Sequence, residues 1–508
     1  MRKKISVFCI LMFCLLANAQ EQELPKRQFQ RAFGKLDFLP ITMPVISDKK
    51  EKDMMFSGIH YNLMLTDWAY AGLGIYGAIR GERGGFFTLG LNVGIKHYFY
   101  KKTYVDTGLH FGGGGGAAAP DGGGAFILPH INLGHNFKKF SINAGWSAID
   151  FFDGGLIKDH QFNVGLEIPL EYSYAEINSS EKEFKLKEFK KSKWNVNPKR
   201  TSLILHLNTL KIKGDTQGKN TGKTIKLAGF ELAYYLSDHW FTFVKVDGAF
   251  DGIKAGFMDV FLGGGYHISF NNNRTNLLAK LGLGAGGGGG IDSRGGFLMY
   301  PDLSIEQCVF NDMYLTVNKG FVLSPNKHFY TSSFGAGLKY YIERNGVKTS
   351  KKYRKAKFKG LAIITKQDFY FDAQRDSNVK KDLHQISLQI NLNLNKNFYL
   401  VGQTSFANFG GAGAYGEGLV GFGLQSNLMF NKSISFFMQA LGGAAGGGGI
   451  STGEGLIIKP SIGFNYKLNN KLNFRTAGGV IKAKGGSLNS TALNVGLAYQ
   501  ISFLKLKK

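Results

Sequence analysis

The chain has 508 residues and a formal net charge of +26, from 62 Lys and Arg against 36 Asp and Glu. Its 70 glycines come with 43 Phe, 22 Tyr and only 10 prolines; the absence of a three-residue period excludes collagen, and the aromatic content excludes a disordered chain. Beyond the N-terminus no apolar stretch reaches the ~18 residues of a membrane helix, so a membrane-spanning form of this chain has to cross with strands.

The N-terminus reads MRKKISVFCILMFCLLANAQ. Arg2, Lys3 and Lys4 precede the apolar run Ile5–Leu16, and Ala17-Asn18-Ala19 follows as a cleavage site. That order predicts a cleaved signal peptide over 1–19 and export. Cys9 and Cys14 leave with it, and Phe13 before Cys14 argues against a lipoprotein. Cys308 then stands alone, so neither a disulfide nor a Cys-ligated metal site is expected.

Residues 20–35 are polar and read as a flexible N-terminus. Three alternating regions follow, β-repeats at 36–175, 201–343 and 360–508, separated by basic linkers at 176–200 and 344–359. Each repeat contains a glycine run: Gly112, Gly113, Gly114, Gly115 and Gly116; Gly286, Gly287, Gly288, Gly289 and Gly290; Gly446, Gly447, Gly448 and Gly449. Behind each run comes a proline (Pro129, Pro301, Pro460), and 36 residues later a glycine within an alternating strand (Gly165, Gly337, Gly496). A register kept three times points to triplication of one unit.

The last strand of the first unit shows the alternation best. Phe162, Val164, Leu166, Ile168, Leu170 and Tyr172 share one face; Gln161, Asn163, Gly165, Glu167 and Glu171 share the other. Ten or more residues of period two exceed the usual soluble strand and match the roughly 9–11 tilted residues that cross a bilayer. Polar turns at Thr66-Asp67, Lys101-Lys102, Lys138-Lys139, Ser237-Asp238, Asn271–Asn273, Asn311-Asp312, Asn395-Lys396, Asn431-Lys432 and Asn469-Asn470 divide each unit into about eight strands. The fold class is therefore all-β, a transmembrane antiparallel barrel of about 24 strands as three tandem eight-stranded repeats. A single large barrel is preferred, from the general habit of single-chain barrels. Three small eight-stranded barrels are the alternative, favoured by the long linkers and by a barrel-ending strand in every unit.

The C-terminal strand alternates Leu493, Val495, Leu497, Tyr499, Ile501 and Phe503 with Asn494, Gly496, Ala498, Gln500 and Ser502. Its Asn494-x-Gly496-x-x-Tyr499-x-Ile501 pattern, with Phe503 beyond, resembles the C-terminal insertion signal of Gram-negative outer-membrane β-barrel proteins, from which it departs by the extra Leu504–Lys508. The resemblance implies a place in the outer membrane of a Gram-negative bacterium, contact with outer-membrane lipid, and delivery by the barrel-assembly machinery. The short turns would then be periplasmic and the glycine-rich connections (81–85, 117–124, 151–159) extracellular.

The two linkers, the C-terminal lysines and the signal region account for +18 of the +26, placing the charge on the periplasmic side. It reads as a solvated face near lipid headgroups or as a dock for outer-membrane or periplasmic proteins. No basic groove with interleaved aromatics argues for nucleic acid. Gly282-x-Gly284-x-x-Gly287 matches a dinucleotide-binding pattern, but a strand rather than a helix follows it. No cofactor is expected.

The glycine runs strip both faces of a strand, which suits close packing between repeats or a loop lying flat on the sheet. Inner-face glycines elsewhere (Gly90, Gly94, Gly263, Gly265, Gly421, Gly423) either leave a lumen open or admit a neighbour. His110 and His130 should face the same side of adjacent strands near Asp106, a low-priority lumen cluster present in one repeat only. Glu417 and Glu454 read as loop residues without a His partner. The expected function is a non-enzymatic channel for small solutes. The alternative is a scaffold barrel in an outer-membrane export or assembly complex, and a less favoured third is a lipid-modifying barrel enzyme.

Overall fold

The period-two alternation closes into three separate cylinders. The computed structural model describes residues 23–46, 49–194, 200–215, 219–310, 312–325, 328–343 and 354–507. In the first barrel the strands are β1 (Gln28–Ile41), β2 (Met54–Met64), β3 (Ala69–Arg80), β4 (Phe87–Tyr100), β5 (Thr103–Gly115), β6 (Phe126–Asn136), β7 (Ser141–Phe151) and β8 (Lys158–Tyr174). The second holds β9 (Thr201–Asp215), β10 (Thr224–Tyr235), β11 (Trp240–Asp251), β12 (Met258–Phe270), β13 (Thr275–Gly287), β14 (Phe297–Phe310), β15 (Met313–Leu323) and β16 (Phe329–Glu343). The third holds β17 (Lys355–Gln374), β18 (Lys380–Asn393), β19 (Phe398–Phe409), β20 (Gly416–Gln425), β21 (Ile434–Gly446), β22 (Leu456–Lys467), β23 (Leu472–Ala483) and β24 (Asn489–Lys507).

Each barrel closes by pairing its own first and last strands. Leu36 lies opposite Leu166, Leu205 opposite Leu338, and Ile363 opposite Tyr499. The preferred single barrel is thus replaced by its alternative of three. Closure pairs every ladder within eight strands and leaves no open edge, the condition a strand must meet inside lipid.

Two further expectations change. The N-terminus is not flexible to residue 35, because β1 begins at Gln28. Its Lys35 and Asp37 point inward beside Phe33 and Leu39 while Phe38 and Pro40 face out, so a buried polar wall reads in the sequence as a solvated segment. The linkers are also not simple connectors. Residues 183–185 form a short strand against the start of β17 (Glu183 opposite Lys357), and 355–359 belong to β17 itself. Phe184, Phe189 and Trp194 pack with Phe358, Leu504 and Leu506 in a small core beneath the third barrel. Glu181 takes ion pairs from Lys357 and Lys359, and Glu183 from Lys355, so part of the expected basic surface is neutralised by the other linker. The expected signal peptide over 1–19, Asn311, most of the second linker and Lys508 lie outside the described residues.

Outward faces carry the apolar band: Phe162, Val164, Leu166 and Ile168 are exposed, while Gln161, Asn163 and Glu167 between them are buried. The same division holds at Leu493, Val495 and Leu497 against Asn494. Polar-in and apolar-out is the arrangement of a barrel whose solvent is lipid.

Candidate functional site

Each barrel interior is filled by side chains, and its buried charges are held in ion pairs and hydrogen bonds. In the first, Asp37 accepts from Tyr76 at 3.0 Å and lies 3.0 Å from His60 Nε2. Glu167 takes Lys96, Tyr104 at 3.0 Å and Asn143 at 2.9 Å. In the second, Lys245 sits between Asp247 and Asp259, Lys280 between Glu231 at 2.8 Å and Asp302 at 3.3 Å, and Lys339 on Glu306. In the third, Lys459 bridges Asp368 at 3.0 Å and Glu417 at 3.7 Å, and Arg475 donates to Asn465 and Gln439. Such pairs exist in a dry interior only when every charge has partners.

The residues singled out by sequence fall into this pattern. Asp106 and His110 line one inner face together with Tyr104, all three buried. His110 bonds Asn92 through Nδ1 and packs its ring against Phe126, Tyr76 and His60. His130 lies 3.5 Å from Asp106, whose other oxygen accepts from Tyr70 at 2.9 Å. A cavity of about 20 Å³ between them has room for about one water molecule. His135, on the same strand as His130, faces outward at the turn, 3.1 Å from Thr103. Glu417 is no loop residue: it points inward from β20 and accepts from Tyr370 at 2.7 Å and Tyr415 at 3.0 Å. Glu454 is an exposed loop residue. No group of three or more potential metal ligands occurs among the described residues.

The bare inner-face glycines do not open a lumen. A Cβ on Gly94 would fall 2.3 Å from the Tyr70 hydroxyl, on Gly265 2.3 Å from the Phe241 ring, and on Gly423 2.2 Å from the Tyr399 ring. Each absent side chain makes room for an aromatic from the next strand.

The glycine runs lie at the long-loop ends of β5, β13 and β21, where the three barrels meet. A Cβ on Gly113 would lie 2.4 Å from the Ala407 carbonyl oxygen of the third barrel, on Gly287 2.6 Å from the Gly84 carbonyl oxygen of the first, and on Gly446 2.5 Å from the Gly256 amide nitrogen of the second. The order is cyclic: the run of each barrel meets the end of the third strand of the next, or the loop after it. Backbone hydrogen bonds cross two of the seams, Gly84 N–H to the Arg294 carbonyl at 2.6 Å and Gly413 N–H to the Gly122 carbonyl at 3.1 Å. Phe87, Leu89, Val260, Ala285 and Phe406, drawn from all three barrels, form an apolar cluster at the centre. Not every glycine serves a seam. Gly112, Gly114 and Gly116 close against their own barrel, as do Gly288, Gly289, Gly447 and Gly448, while Gly290 and Gly449 meet nothing.

At the opposite end Ala175 and Ser502 exchange two backbone hydrogen bonds of 2.8 Å between the first and third barrels. Lys505 reaches Tyr340 between the third and second. Between the two ends a chamber of about 1840 Å³ lies among the barrels, lined mainly by their outward faces.

No protein-family description matches this chain, and no curated relative does. Among solved structures it is similar to Acinetobacter baumannii OccAB3 (11% identity, TM-score 0.23, covering 94% of this chain and 100% of that one). It is also similar to the ferric enterobactin receptor PfeA (8%, 0.28, covering 92% and 81%) and to Pseudomonas aeruginosa OccK11 (9%, 0.22, covering 94% and 96%). At such scores no functional argument rests on these likenesses.

The insertion-signal residues sit on β24. Gly496 opposes Lys366, Tyr499 opposes Ile363, and Phe503 faces the chamber. Sequence reasoning missed the buried charges because it sought recurring catalytic motifs. A signal was present: Lys35-x-Asp37, Lys245-x-Asp247 and Lys366-x-Asp368, one in each barrel, each form an inward ion pair.

Proposed function

We propose that this chain is a non-enzymatic outer-membrane protein in which three closed barrels form one structural unit, a scaffold within an outer-membrane complex. The observation that carries this reading is the filled interior: charged and aromatic side chains occupy each barrel, and the glycines that would have opened a lumen are covered. The folded segment beneath the third barrel, with Phe184, Phe189 and Trp194 docked on Phe358, supplies a periplasmic surface for partners. Burial of His110 and the inward setting of the partly buried His130 speak against catalysis on a lipid substrate.

A channel for small solutes is the second reading, favoured by the size of the chamber between the barrels. Its walls are mostly Leu, Ile, Val, Phe and Gly, which offer an ion or sugar few hydrogen bonds in exchange for water. Conductance of the purified mature protein in planar bilayers separates the two. A scaffold gives no steady conductance from folded protein, whereas a large, stable, ohmic conductance removes the scaffold reading.

A further inference from the structure

We infer that the chamber between the three barrels is a binding site for a phospholipid with a zwitterionic, phosphoethanolamine-type headgroup. The inference takes from the proposed function only that the barrels lie in a membrane. The walls are the outward faces of strands from every barrel, among them Leu170, Leu205, Leu232, Ile390, Val420 and Phe422. They continue the apolar band that meets lipid around the outside. At the long-loop end the glycine seams and the Phe87, Val260 and Phe406 cluster close the space.

The volume and the walls limit what can fill it. About 1840 Å³ is nearly twice the ~1,000 Å³ upper end of small-ligand pockets, enough for more than one acyl chain. Water finds few partners on walls that are mostly apolar, and apolar cavities stay dry. Left empty, the lining would forfeit its dispersion contacts on one side. Acyl chains satisfy both conditions and are supplied by the surrounding bilayer.

The lining turns polar at the end where the chain termini lie. Arg27, Glu171 and Ser173 belong to it, and Arg27 Nε donates to Ser173 Oγ at 2.7 Å. Among the described residues neither Arg27 nor Glu171 takes part in an ion pair. A guanidinium is suited to a phosphate and a carboxylate to an ammonium. One cation and one anion at the rim match a headgroup that carries one of each.

The test uses the mature protein purified in mild detergent and exchanged exhaustively, with bound lipid measured by native mass spectrometry and solvent extraction. Wild type should retain phosphoethanolamine lipid. Gly402 and Gly418 line the chamber, and a Cβ on either meets nothing within 4 Å. Gly402→Phe/Gly418→Phe should therefore fill the chamber and lose the lipid while the protein keeps its folded, heat-modifiable mobility. Arg27→Gln should weaken retention of the same lipid.

Wild type carrying detergent alone or an apolar molecule without a phosphate would overturn the inference, as would unchanged retention in the filled variant. If that variant fails to fold, Trp194 provides a second reading, because it lines the chamber. Brominated-chain phosphatidylethanolamine should quench the wild-type fluorescence that is missing in Trp194→Phe, and no such quenching overturns the inference. A steady conductance would remove the scaffold reading and leave this result standing.

Discussion

Gly446 of the third barrel approaches Gly256 of the second so closely that a Cβ on Gly446 would fall 2.5 Å from the Gly256 amide nitrogen. Real Cβ atoms do not come that near a backbone nitrogen, so a side chain there must push two barrels apart. The same relation joins Gly287 to Gly84 and Gly113 to Ala407. Three equivalent contacts make a ring of barrels rather than three beads on a string.

Substitution at this seam should therefore act between barrels. Gly446→Val overpacks the contact, a class of change that costs about 1–3 kcal/mol. The expected result is a lower denaturation midpoint in detergent and faster protease cleavage of the 447–455 loop. Gly478→Val, on β23 where an added Cβ meets nothing within 4 Å, should change neither by a measurable amount.

The buried charges should be worth far more as pairs than singly. Lys339 and Glu306 are fully buried in the second barrel, with Tyr341 donating to the same carboxylate at 2.9 Å. Lys339→Met leaves Glu306 charged and unpaired, at a cost of about 3–5 kcal/mol. Lys339→Met/Glu306→Leu should recover much of that loss. Urea unfolding followed by tryptophan fluorescence reads both; a double variant no better than the single would show that the pair is not the unit.

Asp121, in the loop after β5, sets a pH dependence. Burial pushes its carboxyl up to about 7, against the Gly116 N–H at 2.8 Å and the Arg83 guanidinium, both of which favour the charged form. The folded protein therefore holds this proton more tightly than the unfolded chain, where the ordinary value is 3.8. The stability it contributes is complete below pH 4, falls as pH rises toward 7, and is gone above it. A shift of roughly three pKa units corresponds to about 4 kcal/mol at most. Asp121 also lies against Gly413 of the third barrel, so the seam between the first and third barrels should loosen at alkaline pH. Asp121→Asn should flatten the unfolding midpoint between pH 4 and 7 and leave the protein more stable than wild type at pH 8.

Much of this fold is legible in the sequence, because alternation reports which residues share a face. Phe162 to Tyr172 point out and Gln161, Asn163 and Glu167 point in, as their order says. The tightness of the glycine runs is legible too, since stripping both faces has few uses besides close approach. What alternation does not report is which strand lies beside which. Residues 28–35 hide the first strand because Lys35 and Asp37 resemble a solvated segment until the interior is known to be polar. Without that strand β8 has no obvious partner, and a single large barrel looks equally sound. The chamber is illegible for a related reason: Leu205 and Ile390 carry the same apolar signal whether they face bulk lipid or one another across an enclosed space.

The most direct test of three separate closures is a disulfide across one of them. Leu36 on β1 and Leu166 on β8 are register partners, 130 residues apart, with both side chains on the outer face. Directly opposed antiparallel positions place Cβ atoms about 4.5–5.5 Å apart, close enough for mild oxidation to link cysteines. In a single barrel of about 24 strands β1 and β8 would not be neighbours. In a Cys308→Ser background, Leu36→Cys/Leu166→Cys should form an intramolecular disulfide in the folded, membrane-inserted protein, found as a linked peptide by mass spectrometry. Folded protein with both thiols free after oxidation would contradict three closed barrels.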